Sequence, residues 1–245
     1  MNTTNNTVLI SGGTAGIGLE IAKLLSAAGN KVIITGRDQQ RLDAALGQLE
    51  HVTGIICDVS KNKDVEALVE RVTTDFREVN VVINNAGRAE LYDVANSDGA
   101  FDIAADEMLT NYLAVIHLNE KLLPLLKGHD EAAIVNVSSV VAFVPNSLVS
   151  YSASKAALHS YTQSLRIALS RATKVKVFEL MPPLVNTEFS AMINGKAGIP
   201  PSVVAAALVD ALAHDNYEIR VGNTQYIYDL YRKSPEEALK LMQPA

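Results

Sequence analysis

Ser11-Gly12-Gly13-Thr14-Ala15-Gly16-Ile17-Gly18 closes a short β-branched run, Thr7–Ser11, and opens a helical pattern carried by Ile17, Ile21, Leu24 and Leu25. The order is strand, glycine turn, helix. Glycines permit a tight turn and close approach of a ligand to the backbone, and the first turn of the helix offers unpaired N–H groups at its positive dipole end. That combination suits a dinucleotide pyrophosphate. The spacing is G-x-x-x-G-x-G rather than G-x-G-x-x-G, and a glycine-rich turn without a ligand is the plain alternative.

Outward from this turn, β-branched runs alternate with segments of helical period: Thr7–Ser11 then Gly16–Ala28, Lys31–Thr35 then Asp38–Leu49, Thr53–Cys57 then Lys61–Glu78. The second half continues with strands at Val79–Asn84, Ala132–Ser138, Lys174–Leu180 and Glu218–Val221, separated by helical stretches Ile103–Leu126, Ser150–Ala172 and Ser202–His214. This alternation predicts βαβ units and a parallel sheet. Continuous apolar runs such as Val8-Leu9-Ile10 and Val81-Val82-Ile83 predict strands covered on both faces. The expected fold is α/β: one doubly wound, Rossmann-type parallel sheet of about seven strands, spanning residues 1–245 as a single domain. A short lid is expected at about 188–202, where Gly195, Gly198 and Pro200-Pro201 break the pattern.

The 245 residues are 48% apolar, enough for one large core. Twenty-seven acids against 21 bases give a formal charge of −6 with no basic block, so nucleic acid is an unsuitable partner. Cys57 is the only cysteine, which excludes an intramolecular disulfide, and His51, His117, His129, His159 and His214 show no metal-ligand spacing. A reducing, cytoplasmic compartment is expected. The polar opening Met1 to Thr7 has no signal-peptide pattern, and no apolar run approaches a membrane span, so an unprocessed soluble protein is expected.

In doubly wound sheets, ligands sit outside the carboxyl ends of the strands. After the second strand stands Thr35-Gly36-Arg37, with no carboxylate to meet a ribose 2′-hydroxyl. Arg37 suits a 2′-phosphate through charge-assisted hydrogen bonds, which favours NADP(H); an ordinary surface arginine beside Asp38 is the alternative. Asp58, with Val59 after it, follows the third strand and is placed either to meet an adenine amino group or to cap the next helix, a role for which Ser60 competes.

Asn84-Asn85-Ala86-Gly87 ends the fourth strand, Asn136-Val137-Ser138-Ser139 ends the fifth, and Tyr151-Ser152-Ala153-Ser154-Lys155 opens the next long helix. With the glycine turn, these motifs resemble the short-chain dehydrogenase/reductase family across essentially the whole chain. Within it, Ala142-Phe143-Val144-Pro145, His159 to Arg166 and Glu218 to Asn223 are most similar to the DltE-type oxidoreductases.

The residues themselves agree with what the resemblance implies. Tyr151 and Lys155 are four apart and share a helix face. A free tyrosine titrates near pKa 10, so proton exchange near neutrality asks for a drop of roughly 2–3 units, about 3–4 kcal/mol. Lys155 and an oxidised nicotinamide ring are expected to supply much of it. The resemblance assigns Ser139 to polarising the substrate carbonyl, with Ser138 as the rival. The interval from Ser139 to Tyr151 is twelve residues, one fewer than in many relatives, and leaves the choice open. Asn111 matches the asparagine that completes the family tetrad, its carbonyl holding a water that bridges to the lysine; the alternative is an asparagine bonded locally to backbone.

Pro182-Pro183-Leu184-Val185-Asn186-Thr187 resembles the family segment around the nicotinamide carboxamide, with Pro183 where a glycine is usual. The cofactor-binding set expected on this basis is Ser11, Gly12, Thr14, Gly16, Ile17, Gly18, Arg37, Asp58, Val59, Asn85, Ala86, Gly87, Tyr151, Lys155, Pro182, Val185 and Thr187. The activity implied is NADP(H)-dependent interconversion of a carbonyl and a secondary alcohol, most simply ketone reduction. A non-catalytic redox-sensing regulator is the rival, disfavoured because Tyr151 and Lys155 are both present. Phe189, Met192 and Ile193 with Val141, Phe143 and Val144 are expected to line an apolar substrate pocket. The resemblance also implies a homodimer or homotetramer, through the helices holding Leu113, Ile116, Leu123, Leu158, Leu165 and Leu169.

Overall fold

The computed structural model describes residues 1–243. Strand and helix alternate as β1 (Thr7–Ser11), α1 (Gly16–Ala27), β2 (Lys31–Gly36), α2 (Gln39–Leu46), β3 (Val52–Ile56), α3 (Asn62–Asp75) and β4 (Val79–Asn84). There follow α4 (Ala100–Met108), α5 (Ala114–Leu126), β5 (Ala132–Val137), α6 (Val149–Ala172), β6 (Val175–Met181), α7 (Pro201–His214), β7 (Glu218–Arg220), α8 (Thr224–Lys233) and α9 (Pro235–Met242). Among the described residues the seven strands form one parallel sheet in the order β3-β2-β1-β4-β5-β6-β7. The order reverses between β1 and β4, and a cleft opens there at the carboxyl ends of the strands, as this topology requires.

Cβ atoms alternate across a strand, so one apolar run supplies two layers. Val8 and Ile10 of β1 join Ile21 and Leu25 of α1 and Val204 and Leu208 of α7 on one face. Leu9 joins Leu68 and Val72 of α3 and Leu118 and Leu122 of α5 on the other. Each such side chain stabilises the fold by roughly 1.5–3 kcal/mol relative to exposure, and a polar residue in either register would forfeit it.

Three features depart from expectation. The helix expected over Ile103–Leu126 begins at Ala100 and is interrupted by a π turn, Leu109–Leu113, where the Ala114 N–H reaches back to the Leu109 carbonyl. Two helices, α8 and α9, follow the last expected strand and cover the 3-10 turn Val140–Ala142, so that Val140, Val141 and Val144 pack with Ile227 and Ala238. The expected lid is two 3-10 turns, Glu188–Ile193 and Gly195–Ala197, strapped to the exit of β6 by a parallel bridge between Val185 and Ile199. Gly198 is no loose hinge: a Cβ there would lie 2.6 Å from the Leu184 carbonyl oxygen.

Candidate active site

The glycine turn is shaped by close packing. Gly12 has φ +66°, and a Cβ would lie 2.8 Å from the Ala86 Cα; one on Gly18 would lie 2.4 Å from the Gly12 oxygen. α1 therefore starts tight against β4, with Ala15 at its N-cap making no side-chain cap bond and no acid in the first turn. The N–H groups and the positive dipole end are left for a ligand anion.

A cleft of about 750 Å³ runs from this turn to α6, within the size range of cofactor sites. Of the expected residues, Gly12, Thr14, Gly16, Ile17, Arg37, Asp58, Val59, Asn85, Ala86, Gly87, Ser139, Tyr151, Lys155, Pro182, Val185 and Thr187 line it. Ser11, Gly18 and Asn111 stand behind its wall. The buried Ser11 hydroxyl accepts the N–H groups of Asn85 and Ala86, both at 3.1 Å, and so joins the end of β4 to the turn. Pro183, in place of the usual glycine, also lines the cleft, while Pro182 accepts the Val140 N–H at 2.9 Å.

At the adenosine end, Asp38 lines the cleft but its carboxylate caps α2 by accepting the Arg41 N–H at 2.9 Å. Arg37 is left as the charged group at the strand end, near Asp58. Burial pushes the Asp58 carboxyl up, but hydrogen bonds from Ser60 and the charges of Lys61 and Arg37 outweigh it and hold the group below the usual range. Asp58 neither caps α3 nor is free: its Oδ1 accepts from the Ser60 N–H and hydroxyl, and Lys61 takes the cap position. Arg41 and Glu188, absent from the sequence expectations, form an ion pair of 2.5 Å across the cleft from α2 to the first 3-10 turn of the lid.

At the other end, Tyr151 and Lys155 rise from the first turns of α6. Lys155 Nζ stands 5.5 Å from the Tyr151 ring centroid and donates to the Val137 carbonyl at 2.8 Å. Burial depresses the Lys155 ammonium to about 8, with the Glu179 carboxylate opposing. Tyr151 keeps part of its surface open, yet desolvation of its hydroxyl drives its pKa above 10; the Glu107 charge adds to this and a hydrogen bond with Ser139 opposes it. The expected depression toward neutrality is therefore corrected for the protein alone. At neutral pH the phenol keeps its proton.

The two serines separate cleanly. Ser138 donates to Glu179 Oε1 at 2.5 Å, whereas Ser139 sits by the Tyr151 hydroxyl and accepts the Val141 N–H at 3.3 Å. Asn111, within the π turn, spends its side chain on a distant segment and on α6 rather than on local backbone. Its Oδ1 accepts the Arg88 N–H at 2.8 Å, and its Nδ2 donates to the Arg88 carbonyl at 2.8 Å and to Ser154 at 2.9 Å. It ties the segment after Gly87 to α6.

Two buried carboxylates escaped the sequence reading. Glu107 accepts from Ser150 and, at 2.7 Å, from the Glu90 N–H. Glu179 accepts from Ser138 and faces His159 Nδ1 at 2.9 Å. For Glu179 the available signal was an acid inside the apolar stretch Val177–Met181 of β6, a costly placement unless partnered.

The apolar pocket is partly corrected. Val141, Phe189, Met192 and Ile193 line the cleft, Phe189 lying 5.8 Å from the Tyr151 ring. Phe143 instead packs edge-on against His159 and Tyr228, each at 4.8 Å, and Val144 has no exposed surface. Of the proposed interface leucines, Leu158 and Leu169 are buried and Leu113 is exposed. Among the described residues no helix is long and apolar enough to cross a membrane, and no group of three or more His, Cys, Asp or Glu is placed to hold a metal ion.

The profile of the family described as short chain dehydrogenase matches residues 6–197. The uncharacterized oxidoreductase DltE of Bacillus subtilis (strain 168) is 42% identical over 200 residues, covering 81% of this chain and 79% of that protein. A short chain dehydrogenase from Burkholderia cenocepacia J2315, solved in complex with NADP, superposes with a TM-score of 0.86 at 24% identity over 99% of both chains. A 3-ketoacyl-(acyl-carrier-protein) reductase from Brucella melitensis, complexed with NADH, gives a TM-score of 0.77 at 27% identity over 86% of this chain and 91% of that one.

Proposed function

The chain belongs to the short-chain dehydrogenase family, and on that premise we propose that it is an NADP(H)-dependent oxidoreductase that reduces a ketone to a secondary alcohol. The supporting observation is the meeting of Ser139, Tyr151 and Lys155 at one end of a cleft whose other end is an uncapped helix N-terminus with Arg37 beside it. The residues fit a nicotinamide dinucleotide. The first-turn N–H groups of α1 would hold the pyrophosphate, Arg37 would take the 2′-phosphate, and Val185 and Thr187 would hold the carboxamide. When bound, the dinucleotide supplies or accepts the hydride.

The side chains do the rest. Ser139 donates to the substrate oxygen and holds it beside Tyr151. The Tyr151 phenol, protonated at neutral pH, gives its proton as negative charge develops on that oxygen, which is general acid catalysis in the reducing direction. Lys155 favours the phenolate left behind, and Asn111 fixes the wall of the site through Arg88. Phe189, Met192 and Val141 shield the site from water and favour an apolar or aromatic ketone over a keto acid. The reading extends to a cytoplasmic protein, since Cys57 is a buried free thiol, and to a homodimer or homotetramer, supported by exposed Leu113 and Ile167 and checked by sedimentation velocity.

Oxidation of NADPH with a panel of carbonyls, followed by nicotinamide absorbance, tests the activity. The Tyr151→Phe variant is expected to retain fold and cofactor binding and to lose turnover by several orders of magnitude. Retention of more than about a tenth of wild-type turnover removes Tyr151 from the acid role.

A further inference from the structure

β6 presents alternate residues to opposite layers. Phe178 and Leu180 join the layer of α1 and α7, while Val175 and Val177 join the layer of α6. Glu179 shares the register of Val175 and Val177 and has no exposed surface. On α6, Lys155 and His159 are one turn apart on the face that meets it. His159 Nδ1 lies 2.9 and 3.0 Å from the two Glu179 oxygens, Ser138 donates at 2.5 Å, and Lys155 is fixed through the Val137 carbonyl on the neighbouring strand.

A carboxylate only accepts hydrogen bonds, so the Ser138 hydroxyl and the His159 Nδ1–H both donate to Glu179. The remaining charges facing this layer are accounted for. Glu218, in register with Glu179 on β7, pairs with Arg166 and Arg220, and Arg166 also donates to the Val177 carbonyl. Glu107 on α4, the other buried acid, is bonded to Ser150 and the Glu90 N–H, which leaves Glu179 as the anion on the strand that meets Lys155.

The geometry points to Glu179 as a positioning residue whose charge supports the Lys155 ammonium, with Ser138 and His159 as the hydrogen-bond frame that holds its carboxylate in place. This inference rests on the proposed reading of Tyr151 and Lys155 as the acid–base unit. Its physical basis is that an ammonium 3% exposed loses its proton easily, and the buried anion opposes that loss, the low local dielectric strengthening the attraction. Ser138, the rival for carbonyl polarisation, is committed to this second task.

Glu179→Gln keeps the shape and hydrogen bonds but removes the charge. The alkaline limb of kcat/KM for carbonyl reduction is expected to move down by roughly one pH unit, so that between pH 7 and pH 9 the variant loses about fivefold more activity than the wild type. Its melting temperature and NADPH affinity at pH 7 are expected to stay close to wild type. An unmoved limb, with or without a uniform loss of rate, overturns the inference.

A second measurement does not need turnover. In urea unfolding at pH 7, the double variant Lys155→Met/Glu179→Gln is expected to be more stable than the sum of the single effects predicts, by about tenfold in the unfolding constant. Additive effects overturn the charge relationship. Coupling in a protein that reduces no carbonyl would instead retain that relationship and reject the proposed reaction.

Discussion

Ser150 donates its hydroxyl hydrogen bond to Glu107, so the residue next to Tyr151 in the chain is fastened to a carboxylate without solvent exposure. Burial holds that carboxyl above its usual range, against the hydrogen bonds from Ser150 and the Glu90 N–H. Its ionised form disfavours a phenolate at Tyr151, and α4 thereby sets a property of α6.

Removing that charge should make Tyr151 more acidic. In Glu107→Gln the phenolate absorbance present in wild type and missing in Tyr151→Phe is expected to develop at lower pH, with the fold intact by circular dichroism. A titration that stays in place, or moves upward, would show that Glu107 acts on Tyr151 only through Ser150.

Cofactor choice is expected to rest on Arg37. NADP(H) should bind at least about tenfold more tightly than NAD(H), about 1.4 kcal/mol, and Arg37→Ala should erase most of the difference. Fluorescence titration with both nucleotides decides it. Equal affinities in the wild type, or a preference untouched by the substitution, would leave Arg37 without this role.

Lys155 is expected to cost stability in exchange for its chemistry. Its pKa falls from 10.5 in the unfolded chain to about 8, so below pH 8 the folded protein carries a penalty on the order of 3 kcal/mol at 1.36 kcal/mol per unit. Between pH 8 and 10.5 the unfolded state binds the proton more, and the penalty disappears as pH rises. Lys155→Met should then abolish turnover while the ligand-free protein gains about 1 kcal/mol at pH 7, the Val137 carbonyl left unpaired taking back about 1–3 kcal/mol. By pH 10 the gain should have become a loss. Denaturant unfolding across this range checks it, and a stability difference that does not change with pH would contradict the depressed lysine.

Those residues were legible in the sequence to different degrees. The glycine turn, Arg37 and the Tyr151–Lys155 pair declare themselves because strand, turn and helix each have a local period, and a spacing of four fixes two side chains on one helix face. Ser138 and Ser139 could not be separated in that way. Which of them meets Tyr151 depends on the twist after β5 and on the acid waiting across on β6. Glu179 and His159 are 20 residues apart, and only the register of β6 beneath α6 joins them. Phe143 was misplaced for a related reason: α8, whose Tyr228 receives its ring, is short and follows a break at Gly222, so nothing upstream announces that a helix returns to cover that turn.

The π turn at Leu109–Leu113 imposes something like a reading frame on the long helical arm. A π turn amounts to one residue inserted into an α-helix and absorbed within a single wider turn, so deleting one residue there would restore regular hydrogen bonding with the downstream face in place, whereas deleting one from the regular helix just after it would rotate everything beyond by about 100°. Leu118, Leu122 and Leu126 would leave the layer they fill beneath β1 and β4, and Asn119 would swing away from Asn84, whose amide it accepts at 2.9 Å. The arm therefore tolerates changes of residue far better than changes of length. Its spacing from Ala114 to Asn119 is the interval that insertions and deletions are expected to spare.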